Sequence, residues 1–120
     1  MKLLNKVFLI LVLFSNSVFA ADFIEGMDDI PLMNGTKQIQ SSSISFGNDE
    51  SRFDEAYITS KKLSFSKISK FYQNTLPQLG WKFINSKEKA LHFERDMEVL
   101  DIALERSKPI LIRITIKSKD

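Results

Sequence analysis

His92 is the only histidine in the 120-residue chain, and there is no cysteine at all. Thiolate chemistry and cysteine–histidine zinc sites are therefore out of reach, and a zinc ion held by one imidazole would need several carboxylates in support. His92, Asp101 and any of the serines supply the residue types of a nucleophilic triad. No nucleophile-elbow motif frames a serine, however, and "SSSIS" at residues 41–45 reads better as the polar side of a strand. Asp22, Glu25, Asp28 and Asp29 gather carboxylates near one end, but their spacing is not that of an EF-hand loop, so they read as solvated charge. Met27 and Met33 are too few for a copper site and suit soft apolar packing. Asn34-Gly35-Thr36 fits a glycosylation acceptor, which matters only in a eukaryotic secretory pathway. The residues thus assign no catalytic, metal or cofactor site, and the reading leans away from an enzyme.

The first twenty residues, "MKLLNKVFLILVLFSNSVFA", have the form of a secretory signal. Lys2 and Lys6 give a positive start, residues 7–14 an apolar run too short to span a bilayer, and Val18-Phe19-Ala20 a cleavage site. No cysteine follows Ala20 to carry a lipid anchor. Without Lys2 and Lys6, the 17 basic residues fall to 15, equal to the 15 acidic ones. A neutral chain has no basic surplus for nucleic acid or an anionic membrane. The expectation is a periplasmic or secreted protein with no stable membrane span after cleavage, no nucleic-acid partner and no cofactor.

The remaining chain of about 100 residues suits one domain, closed without disulfides. Residues 21–37 have no clear period and read as an extended acidic arm that lies along the domain through Phe23, Ile24, Ile30, Leu32 and Met33, with a loosely ordered leader as the alternative. Residues 38–120 then form the domain. Residues 38–46 and 52–60 read as a hairpin around "GNDES", with Phe53, Tyr57 and Thr59 on one side of its second strand. A helix follows over residues 64–79, its stripe made by Phe65, Ile68, Phe71 or Tyr72, Thr75, Leu76 and Leu79. Four strands complete the chain. Trp81 and Phe83 share a face, then Leu91, Phe93 and Arg95; Leu100, Ile102 and Leu104; and Ile110, Ile112, Ile114 and Ile116. The last of these, rich in Ile, reads as a candidate edge strand guarded by Lys117 and Lys119. The order β-β-α-β-β-β-β predicts an α+β fold, an antiparallel sheet with one helix packed on one face.

The string "FYQNTLPQLGW" at residues 71–81 sits where helix gives way to strand. Pro77 cannot continue a helix, Gly80 suits a left-handed close, and Trp81 falls where a side chain packs back on the last turn. Read as a stop signal and core anchor, every residue has a role. The functional alternative is a ligand pocket between helix and sheet under Phe71, Tyr72, Trp81 and Phe93.

"DDIPLMNG", "ISFGNDESRFDEAYITS" and "FYQNTLPQLGW" together resemble a family of small, uncharacterised exported proteins of alphaproteobacteria. That family has a D-x-P-L-M arm, a strand hairpin and an F-Y-x-x-x-L-P-x-L-G-W helix end. Asn34 stands where its arm tends to have Pro, and Gly47 and Ser51 where its hairpin tends to have Asp and Gly. The resemblance implies export to a Gram-negative envelope and brings no established activity or catalytic residue to carry over. The expected function is a non-enzymatic interaction module that binds an envelope protein. Asp28, Asp29, Ile30, Pro31, Leu32 and Met33 would form its recognition segment, joined by Arg52, Glu55 and Tyr57. A small-ligand or lipid carrier using the helix–sheet pocket is the alternative.

Overall fold

Strands that are apolar at every second position leave one face of a sheet in need of cover. The computed structural model, which describes residues 22–47 and 51–119 and only the backbone of 40–46, supplies that cover from two directions. Residues 1–20, expected to be a signal segment, and residues 48–50, expected to turn the first hairpin, lie outside the described residues. The elements in order are β1 (Phe23–Ile24), β2 (Met27–Pro31), β3 (Lys37–Gly47), β4 (Arg52–Ser60), α1 (Phe65–Thr75), a 3-10 turn (Leu76–Leu79), β5 (Lys82–Lys87), β6 (Ala90–Arg95), β7 (Glu98–Ser107) and β8 (Ile110–Ser118). β1 and β2 pair alone, and the other six strands form one antiparallel sheet in the order β3-β4-β8-β7-β6-β5. The α+β class, with one α-helix among the described residues, is as the sequence predicts.

The core forms where the covered face of the sheet meets helix and hairpin. Ile58 of β4, Ile112, Ile114 and Ile116 of β8, Leu100 and Ile102 of β7, and Phe93 of β6 are all fully buried. Ile68, Tyr72 and Leu76 bury with them from the helical side, and Ile24, Met27 and Ile30 from the hairpin. Each such side chain contributes roughly 1.5–3 kcal/mol by leaving water.

Ser64 caps α1, its side chain accepting from the Lys67 amide. At Leu76 the α-helix tightens to 3-10 geometry, so Pro77 sits at the start of a new turn, where its missing N–H costs little. Gly80 ends that turn at φ 92°, and the Trp81 amide bonds back to the Leu76 carbonyl at 3.1 Å. A Cβ at position 80 would lie 3.2 Å from the Arg95 side chain, a second reason for glycine.

Three expectations are corrected. Residues 21–37 dock on the domain as expected, but as a hairpin and not as an extended arm. β1 and β2 make a hairpin turning at Gly26, and its apolar side chains belong to the common core. β2 hides this because its buried positions, Met27, Ile30 and Pro31, follow no strict alternation. The final strand is not an edge: β8 lies between β4 and β7, so its Ile side chains serve the middle of the core. The edges are β3 and β5. Finally, "NSKEK" at residues 85–89, which the sequence suggests as a turn, divides: Asn85, Ser86 and Lys87 belong to β5, and the turn after it is made by Glu88 and Lys89, both at positive φ.

Candidate binding face

Most of the expected recognition segment is engaged within the domain. Ile30 is fully buried, Pro31 is buried, and Leu32 and Met33 pack against the core. The Tyr72 hydroxyl donates to the Pro31 carbonyl at 2.7 Å and ties helix to hairpin. Asp29 accepts from the Arg95 guanidinium and lies 4.0 Å from that of Arg52. Arg52 Nε meets Asp54 Oδ2 at 2.5 Å, and its Nη1 meets Glu98 Oε2 at 2.8 Å. Burial alone would lower the pKa of Arg52, but hydrogen bonds and charge from Glu98 and Asp54 outweigh it and raise the value. Arg95 also donates to the Leu79 carbonyl, approaches Glu98, and lies 4.1 Å above the Trp81 ring. Two arginines and three carboxylates thus hold β2 against the ends of β4, β6 and β7. Only Asp28 of the arm's acidic pair remains exposed.

The alternative ligand pocket is filled by its own side chains. Tyr72, Trp81 and Phe93 are no more than 1 % exposed. Phe71 is half-buried and meets Tyr72 edge-on. These aromatics are core.

Burial raises the pKa of the Tyr72 hydroxyl, with only partial opposition from the Met33 backbone. A phenol in the unfolded chain ionises near pH 10, whereas Tyr72 in the folded domain keeps its proton to higher pH. Its contribution to stability is therefore complete below about pH 10 and falls as pH rises through the folded value. The slope approaches about 1.4 kcal/mol per pH unit. Tyr72→Phe should remove that alkaline limb. At neutral pH it should cost roughly 1–3 kcal/mol, because the Pro31 carbonyl loses its donor. Denaturant titrations of both proteins from pH 8 to 12 check this; parallel curves would refute it.

The other face of the sheet differs in character. Alternation places Glu55 and Tyr57 there, opposite in direction to Arg52, so the three expected partner residues of β4 do not share a surface. Strand register aligns Glu55 with Thr115, Thr115 with Asp101, and Asp101 with His92. His92 Nδ1 contacts Asp101 Oδ1, and Arg113 pairs with Glu105 at 3.2 Å. Two members of the triad considered from sequence do meet, yet the register partners of His92 are Asp101 and Asn85, not a hydroxyl residue. Among the described residues no group of three or more metal-ligating side chains of His, Asp or Glu is present.

Phe53, Glu55, Asp101, Arg113, Thr115 and Lys117 border a shallow hollow of about 270 Å³ on this face. Ala103, a small residue between longer neighbours, opens its floor. Alternation with the four Ile residues of β8 puts Arg113, Thr115 and Lys117 on the other side of that strand, but their convergence with β4 and β7 depends on a strand order that sequence does not reveal. Arg95 was also missed. Its signal was a cation in register with Leu91 and Phe93, on the apolar side of a strand.

Compared with protein-family models, curated proteins and solved structures, the chain shows no match.

Proposed function

We propose that this chain is an exported, non-enzymatic interaction module of a Gram-negative cell envelope, which receives a protein partner on its open sheet face. The supporting observation is the asymmetry of the sheet. Helix and hairpin close one face over a filled core. The other carries half-buried Glu55, Tyr57, Asp101, Arg113 and Thr115 with no helix or strand packed over them among the described residues. Strand spacing and length give a six-stranded face an area on the order of 800 Å², close to one partner's share of a standard interface. Tyr57 and Arg113 are also of the residue types enriched there. Export rests on the signal-like segment at residues 1–20 and on the family resemblance. No helix among the described residues is long and apolar enough to cross a membrane.

The test is crosslinking of the tagged chain in its native envelope, followed by mass spectrometry. A stoichiometric protein partner is expected. Tyr57→Ala combined with Ala103→Arg truncates an aromatic anchor and fills the hollow. It should cut capture roughly tenfold or more, while Asp28→Lys, on the hairpin, should not. Capture sensitive to Asp28→Lys alone would return recognition to the arm. A bound lipid or metabolite with no protein would replace the module with a carrier.

A further inference from the structure

We infer that the hollow on the open face binds a free α-amino acid in its zwitterionic form, with an apolar or aromatic side chain. The inference goes beyond the partner reading and stands on the hollow itself. Its border carries two carboxylates, Glu55 and Asp101, and two cations, Arg113 and Lys117. A bare anion would meet both carboxylates and a bare cation both positive groups; a neutral molecule with separated charges matches the balance.

Pairing within the face then selects the contacts. Asp101 is engaged by His92 and Arg113 by Glu105. Glu55 and Lys117 have no ion pair or hydrogen bond among the described residues. Register sets Glu55 opposite Thr115 and Lys117 opposite Phe53, so Glu55 and Lys117 are diagonal neighbours on one face. Such positions lie roughly 7–8 Å apart, leaving space between two long, opposite charges. An α-amino acid carries ammonium and carboxylate on one carbon and can address both, ammonium toward Glu55 and carboxylate toward Lys117. Thr115, the register partner of Glu55, borders the hollow, and its hydroxyl can accept from the ammonium or donate to the carboxylate. The Phe53 ring flanks Lys117, and Ala103 leaves room for an apolar side chain. With the site open to water, both charge contacts are screened, and affinity belongs in the millimolar range, roughly 1 mM.

The test is an NMR titration of the purified chain with L-phenylalanine as the probe. Saturable shifts of the amides around Phe53, Glu55, Thr115 and Lys117 are expected. N-acetyl-L-phenylalanine lacks the ammonium and L-phenylalanine amide lacks the carboxylate; each should bind roughly threefold to fivefold more weakly. Glu55→Gln and Lys117→Met should each weaken L-phenylalanine by a similar factor. Absence of saturable shifts, equal binding of the analogues, or indifference to both substitutions would overturn the inference. The analogue series uses the unaltered chain and decides the matter even if a variant folds poorly. Amino-acid binding without a protein partner would defeat only the interaction reading; a partner without amino-acid binding would defeat only this one.

Discussion

Trp81→Ala should destabilise the domain by roughly 3–5 kcal/mol, the range for removing a buried large aromatic side chain. For a domain of this size that corresponds to a fall in melting temperature of roughly 12 °C or more. The indole is 1 % exposed and follows the glycine that closes the 3-10 turn. It also supports Arg95, which lies over the ring while reaching Asp29, Glu98 and the Leu79 carbonyl. Truncation would open a cavity and remove the surface beneath that guanidinium together. The indole Nε1 has no hydrogen-bond partner among the described residues, so the loss is one of packing and cation–π contact. Trp81→Phe should therefore retain more than half of the stability that Trp81→Ala loses. Calorimetry of both variants measures the difference. Unchanged melting of Trp81→Ala would remove Trp81 from the core and reopen the ligand-pocket reading.

Ile30→Ala is the second large effect, at about 2–5 kcal/mol. Ile30 is 0 % exposed in β2, between the Asp29 ion pairs and the Pro31 carbonyl that receives the Tyr72 hydroxyl. If the hairpin is part of the domain's cooperative unit, substitution lowers the denaturant midpoint for the whole transition and leaves its slope unchanged. Were the segment a detachable arm, the loss would be confined to hydrogen exchange of the β1 and β2 amides, with global melting intact. The buried ties to Tyr72 and Arg95 favour the first outcome.

The contrast between β8 and β2 shows which parts of the fold were legible. Ile110, Ile112, Ile114 and Ile116 repeat at the period of a strand with one buried face, and they are buried as that period requires. In β2 the covering elements approach from more than one side, so Asp29 turns to Arg95 while Ile30 and Pro31 both bury. Periodicity fails there because the environment is not a plane. "LPQLG" was legible for a different reason: proline and glycine act on the backbone itself, independently of what surrounds them. Strand order was not legible. Nothing local to Ile112 says that β4 lies beside it, and the hollow exists only because β4, β8 and β7 are adjacent. The aromatic stretch from Phe71 to Trp81 caught attention through its residue types, yet its burial assigns it to the core.

The insertion of β8 between β4 and β7 has a consequence for how the chain must be made. Phe53 pairs with Lys117 and Ser60 with Ile110, so the central seam of the sheet joins segments at least 50 residues apart. Contacts of that separation form slowly. For a chain threaded end-first through a narrow channel, β4 would arrive on the far side long before its partner. The helix and hairpin would have only part of a surface to settle on until the final strand emerged. Such a topology delays closure until delivery is complete, which suits the export proposed above.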